Sequence, residues 1–405
     1  MSPKGSLLAV SAAVVLLPLL VWRVELVRRF VPLAVLQVVA GLALGPSLLG
    51  QAAPGLHAAV FTRPVLAMLD GLAAFGVVLF VFNTALHLDL PTLRRDARRL
   101  GALTLGSIGA PLALGAAAGW WMLGVPGTLG PAGNAPGFVA AIAICISVTA
   151  LPVLAAILAE MRLVQAPLGQ TALALAALND AALWVMLAVL LALAAGGSGA
   201  VAGLHLLLAF GWVGLLFAAG RPLLRRVPEG AMLAAAVSLA LLSAAVSEEL
   251  GTGYLVGAFA AGLVVPAASR EALLGRLEGA TATLLLPFFF LSTGLKALID
   301  PGSASFAALL AVATVATVAG KVAGTTIPAL AMGVPRREAW ALGAMMQTKG
   351  LMEVVVLAVL HDAGLIGAEV FSAMVAMAVV CTVATMPAVR ACLGRGRPVA
   401  GARAA

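Results

Sequence analysis

The chain has 405 residues, 63% of them hydrophobic and 10% charged, with a mean hydropathy of +1.13 and a formal charge of +8. No soluble core of this length needs so much apolar surface, so the composition excludes a soluble globular protein and points to a chain that crosses a bilayer many times. The basic balance does not mark a nucleic-acid partner, because the Arg residues lie in short connections between apolar runs.

Taken in order, the apolar runs number thirteen, at about 6–22, 31–49, 65–87, 101–123, 138–159, 167–195, 201–219, 231–247, 251–267, 280–298, 304–333, 336–361 and 366–392. The first follows Lys4 but precedes Arg23, Arg28 and Arg29 with no small-residue cleavage site, so it reads as a span rather than a signal peptide. Residues 1–395 then form one membrane domain and 396–405 a short tail, the expectation being a membrane domain alone. Cys145, Cys381 and Cys392 lie in or beside apolar runs without a CxxC pair, so neither disulfides nor a metal cluster is expected. No cofactor is expected either.

Charge orients this set. Alternate connections, starting after the first run, hold nineteen of the 24 basic residues, while the opposite set holds only Lys4 and Arg63. The positive-inside rule puts the N-terminus outside and the C-terminus in the cytoplasm. Three basic residues remain. Lys296 can snorkel from a segment end, whereas Lys321 and Lys349 lie too deep for that. Asp180 and Glu353 are the deep acids, and Asp70 reads as interfacial.

The chain also echoes itself. Val39–Pro46 resembles Phe259–Pro266, and Phe82–His87 resembles Leu291–Lys296, each pair seven runs apart. An odd offset reverses direction across the membrane, so runs 1–6 (about 6–195) and 8–13 (231–392) read as inverted repeats with run 7 (201–219) as linker, an arrangement of many secondary transporters.

Three polar clusters interrupt the apolar runs. Asn179-Asp180 lies near the middle of the sixth, where a charge costs about 2.5–3.5 kcal/mol on insertion scales. It reads either as an ion or proton site or as a buried Asp tied to a neighbouring helix. The fifth contains Ser147-Val148-Thr149-Ala150-Leu151-Pro152. Pro152 removes a backbone donor, and Ser147 and Thr149 can serve the freed carbonyls or a cation. The twelfth contains Gln347-Thr348-Lys349-Gly350-Leu351-Met352-Glu353, in which Lys349 and Glu353 either satisfy one another at i,i+4 or offset the ends of half-helices.

These pieces, with Gly41–Gly50, Gly257–Leu263, Leu286–Phe290 and Thr293–Lys296, resemble the monovalent cation:proton antiporter 2 family, and within it the Kef-type and plant CHX-type exchangers. The resemblance covers nearly the whole chain in family order. It implies an all-α polytopic membrane protein of about thirteen transmembrane helices, dimeric, with a dimerisation domain and a core domain in which two interrupted helices, here the fifth and twelfth runs, cross. It carries the titrating Asp over to Asp180 and the basic residue of the neighbouring core helix to Lys321. Two features depart from the family. Asn179-Asp180 stands where electrogenic relatives have two acids, and Ala85-Leu86-His87-Leu88-Asp89 stands where relatives run Gly-Leu-Glu-hydrophobic-Asp.

The implied activity is exchange of a monovalent cation, K⁺ or Na⁺, for H⁺. Burial disfavours the charged form of a carboxyl, so Asp180 can hold a proton until a cation, aided by oxygens of Asn179, Thr149 or Ser147, displaces it. Lys321, Lys349 and Glu353 would compensate charge, with Lys321 neighbouring Asn179 and either neutralising a helix C-terminus or linking two core helices. One titrating acid predicts electroneutral exchange. Two other classes stay open: a sodium-coupled symporter of an organic anion, which wants a larger polar cavity, and a membrane-bound lipid-modifying enzyme, which wants His or paired acids at the interface. His57, His87, His205 and His361 form no such motif.

Overall fold

The computed structural model describes residues 3–24, 33–46, 48–87, 97–164, 166–195, 199–296 and 303–394. In chain order the helices are α1 (Pro3–Trp22), α2 (Leu33–Leu44), α3 (Leu49–Ala52), α4 (Pro54–Val60), α5 (Arg63–Leu86), α6 (Ala97–Met122), α7 (Ala135–Ser147), α8 (Leu151–Glu160), α9 (Pro167–Ala195), α10 (Gly199–Leu215), α11 (Arg221–Arg225), α12 (Glu229–Glu249), α13 (Tyr254–Val264), α14 (Ala267–Ala280), α15 (Leu286–Lys296), α16 (Ala304–Ala331), α17 (Arg336–Met346), α18 (Leu351–Asp362) and α19 (Ala368–Leu393). There is no β-strand among the described residues, only an isolated bridge between Leu129 and Ile366. That is what a bilayer demands of a chain without a closed barrel, since each backbone donor must find its acceptor within its own segment.

Among the described residues each apolar run overlaps a helix or a pair of helices, and eight helical stretches there are long and apolar enough to cross a membrane. The boundaries differ from the expected ones in two places. The connection after run 2 folds into the short helices α3 and α4. Run 10 begins earlier, because α14 and α15 join through a wide π-turn at Thr281–Leu285; a second π-turn at Leu216–Gly220 joins α10 to α11. Segments 25–32, 88–96, 297–302 and 395–405, with Arg28, Arg29, Asp89 and the tail, lie outside the described residues.

The chain divides into two compact units: residues 1–88 with 187–298, and residues 89–186 with 299–405. Each draws on both halves of the sequence.

In the first unit, small residues set the helix spacing. A Cβ on Gly294 of α15 would lie 2.3 Å from the carbonyl carbon of Gly41 in α2, and one on Gly257 of α13 would lie 2.0 Å from the Ser243 carbonyl oxygen of α12. The Ser243 hydroxyl donates to the Gly257 carbonyl (2.8 Å) and accepts from the Trp212 indole N–H (3.0 Å). Asp70 is exposed in this unit and accepts a hydrogen bond from the Ser292 hydroxyl.

The second unit holds the deep charges. Two of its long helices, α6 and α16, touch through glycines: a Cβ on Gly106 would stand 2.3 Å from the Gly324 carbonyl oxygen, and one on Gly324 would stand 2.3 Å from that of Gly106. In place of Cβ atoms there is backbone-to-backbone contact, the packing that small residues permit inside a bilayer. Gly320 meets Pro111 in the same way, with a Cβ there only 2.6 Å from the Pro111 Cα. Ser107 and Lys321, each one residue after such a glycine, are thereby brought together.

Candidate functional site

The fifth and twelfth runs are both broken. α7 stops at Ser147 and α8 starts at Leu151, with Pro152 as the second residue of α8, where its missing N–H needs no intrahelical partner. α17 stops at Met346 and α18 starts at Leu351, after Gly350. The two breaks meet: the Ala150 N–H donates to the Thr348 carbonyl at 3.0 Å.

Each break caps the other. The Thr149 hydroxyl donates to the carbonyl of Met346, the last residue of α17, at 2.8 Å. The Lys349 ammonium donates to the carbonyls of Cys145 and Ile146, in the last turn of α7, at 2.7 and 2.9 Å. A cation at a helix C-terminus is where the helix dipole favours it, and an acid in a first turn is its mirror. Glu353 occupies that mirror position in α18 and pairs with Lys349 at 3.0 Å, both side chains fully buried. The Thr382 hydroxyl of α19 lies 2.6 Å from the Lys349 carbonyl and ties that helix to the break.

Asn179 and Asp180 lie in α9, beside this crossing. Asn179 is the middle of a polar relay in which every donor points the same way. The Ser107 hydroxyl donates to Asn179 Oδ1 (3.2 Å), Asn179 Nδ2 donates to the Thr149 hydroxyl oxygen (3.4 Å), and Thr149 donates to Met346. The relay links α6, α9, the first break and the end of α17.

Asp180 itself is 0% exposed, and neither carboxylate oxygen finds a hydrogen-bond donor among the described residues. An ionised carboxylate without donors in a low-dielectric site is costly, so such a group is either neutralised by a proton or matched by a cation.

Lys321 links two helices rather than serving a helix end: its ammonium donates to the Ser107 carbonyl at 3.1 Å, in the interior of α6, and the Ser107 hydroxyl in turn meets Asn179. The C-terminus-capping lysine is Lys349. The Ser147 hydroxyl serves a carbonyl at its own helix end, donating to Ile144 at 2.8 Å. Ser107 was not singled out from sequence; a lone Ser in an apolar helix gives no signal, because its usual partner is the preceding turn.

The geometry is that of a multi-pass membrane protein whose crossed half-helices sit beside a buried, donor-less acid. Residues 10–391 match the family described as sodium/hydrogen exchanger, transmembrane, and the chain belongs to that family. It is 30% identical over 366 residues to the Na(+)/H(+) antiporter NhaS4 of Synechocystis, covering 87% of this chain and 89% of that one. It is 31% identical over 405 residues to cation/H(+) antiporter 18 of Arabidopsis thaliana and 34% identical over 385 residues to antiporter 20 of the same plant. These matches take in 95% and 89% of this chain but 48% and 45% of the relatives. The chain thus spans about half the length of these plant relatives. Among solved structures, the sodium proton antiporter MjNhaP1 from Methanocaldococcus jannaschii matches with a TM-score of 0.63 over 96% of this chain and 98% of that one, at 15% identity, which is a likeness of fold.

Proposed function

We propose that this chain exchanges a monovalent cation, Na⁺ or K⁺, for H⁺ across a membrane by alternating access, with Asp180 as the group that proton and cation share. The observation that carries the reading is Asp180: fully buried, without a donor among the described residues, and adjacent in sequence to Asn179 at the hub of the polar relay. Asp180 would hold the proton in one half-cycle. In the other it would hold the cation, together with oxygens of Asn179 and Thr149 and with water. The names of the relatives, which include Na(+)/H(+) and K(+)/H(+) antiporters, support the same reading. One acid per site implies one proton for one monovalent cation, hence electroneutral exchange. Lys321, Lys349 and Glu353 would then hold the scaffold and its charge rather than carry the ion.

The reading includes a homodimer in the plasma (inner) membrane, as the family resemblance implies, and puts the N-terminus outside and the C-terminus in the cytoplasm on the strength of the loop charges. The test is Asp180→Asn in proteoliposomes. This change nearly preserves shape and removes the titrating group, so cation-driven proton flux should vanish while the protein still inserts. Flux at the wild-type rate would defeat the single-carboxylate mechanism.

A further inference from the structure

We propose that Ser107 is a further ligand of the transported cation, recruited by rotation of its hydroxyl. The proposal rests on the reading above, that Asn179 and Asp180 form the cation site.

Ser107 is 0% exposed and its hydroxyl lies within reach of two acceptors, the Thr104 carbonyl at 3.1 Å and Asn179 Oδ1 at 3.2 Å. A hydroxyl has one proton and two lone pairs, so it donates to one of these at a time. Turned towards Asn179, the O–H satisfies the amide oxygen much as a cation would. Turned towards Thr104, it presents lone pairs on the Asn179 side. Rotation about a single bond therefore changes Ser107 from a donor that covers Asn179 Oδ1 into an oxygen ligand beside it, with no backbone movement and no buried group left without a partner.

The surroundings constrain the rest. Thr149 uses its own proton on Met346 and accepts from Asn179 Nδ2, which keeps the amide oxygen on the Ser107 side. Lys321 holds the Ser107 carbonyl, so the backbone is pinned and the hydroxyl is the part free to turn. The Lys321 charge opposes a cation here and the Asp180 charge favours one. Between those opposing charges, the neutral oxygens of Asn179, Thr149 and Ser107 set how tightly the ion is held. The competing explanation is that Ser107 only back-bonds to the preceding turn, as Ser commonly does in an apolar helix. In that case its hydroxyl has no bearing on cation affinity.

The test uses the full chain in proteoliposomes, with proton flux measured against Na⁺, K⁺ and Li⁺ concentration at fixed pH for the wild type, Ser107→Ala, Ser107→Thr and Asp180→Asn. Ser107→Ala should raise the half-saturating cation concentration about tenfold, the loss of one charge–dipole contact, with the maximal rate little changed. Ser107→Thr keeps the oxygen and should stay near wild type. An unchanged half-saturation in Ser107→Ala, a fall in maximal rate alone, or loss of exchange at every concentration would each overturn the proposal. So would an increase that a well-inserted Ser107→Thr fails to relieve. If Ser107→Thr does not reach the membrane because its extra methyl finds no room, the Ser107→Ala result decides alone. An unshifted Ser107→Ala beside an inactive Asp180→Asn defeats the Ser107 role and leaves the exchange reading standing, whereas an active Asp180→Asn defeats the exchange reading itself.

Discussion

Removing Lys349 should be the most damaging single change at the crossing, and the structure indicates by how much. Its ammonium is fully buried and holds three groups: the Cys145 carbonyl at 2.7 Å, the Ile146 carbonyl at 2.9 Å and the Glu353 carboxylate at 3.0 Å. Lys349→Met strands the Glu353 charge, a loss of about 3–5 kcal/mol for one partner of a buried pair. It also uncaps two carbonyls at the end of α7, at about 1 kcal/mol each. Glu353→Gln is milder, because Lys349 keeps both carbonyl acceptors; about 1–3 kcal/mol is expected. The double variant Lys349→Met with Glu353→Gln no longer contains a stranded charge. Its destabilisation should therefore fall short of the sum of the singles by roughly 2–3 kcal/mol, a coupling of the size that contacting buried groups show. The assay is thermal unfolding of the detergent-solubilised protein followed by fluorescence-detected size exclusion. The expected order of apparent Tm is wild type, then Glu353→Gln, then the double variant level with or above Lys349→Met. Strict additivity, with the double variant the least stable by the full sum, would refute the claim that the two charges hold one another and the α7 end together.

Three further outcomes follow from the proposed exchange. Because proton and cation compete for Asp180, lowering the pH should raise the half-saturating cation concentration, approaching about tenfold per pH unit in the acid limit; half-saturation indifferent to pH would remove the competition. With voltage clamped across the same vesicles by an ionophore, flux should not vary with potential, since one proton replaces one monovalent cation; a net current would mean that a second group, Lys321 or Glu353, also changes protonation. Single cysteines placed in the 94–99 or 221–226 connections should react with an impermeant thiol reagent only from the cytoplasmic side. Labelling of the 94–99 connection from outside would reverse the orientation.

What could be read from the sequence, and what could not, divides along physical lines. Spans are legible because the bilayer forces each crossing to be one apolar helix that satisfies its own backbone. The breaks are legible because Thr-Ala-Leu-Pro and Gln-Thr-Lys-Gly cannot continue such a helix without help. Pairing between helices is another matter. With 44 glycines and a large share of alanine, many helix faces are smooth enough for close contact, and nothing local says that Gly106 meets Gly324 rather than another glycine. The roles of the two deep lysines depended on that pairing. Lys321 reads either as a cap for a helix end or as a charge linking two core helices, and the glycine contact carries it to the interior of α6 and the Ser107 carbonyl. Lys349 reads either as satisfied by Glu353 at i,i+4 or as offsetting a half-helix end, and the crossing brings the C-terminus of α7 within its reach, so one ammonium serves both its own half-helix and the opposing one. A pattern within one helix thus reports which groups are costly to bury, and only the partner helix decides what satisfies them. Ser107 is the limiting case. Its own turn can satisfy it, so burial costs it nothing locally, and it stands out only because Asn179 of another helix lies 3.2 Å away, close to the 3.1 Å of its fallback acceptor.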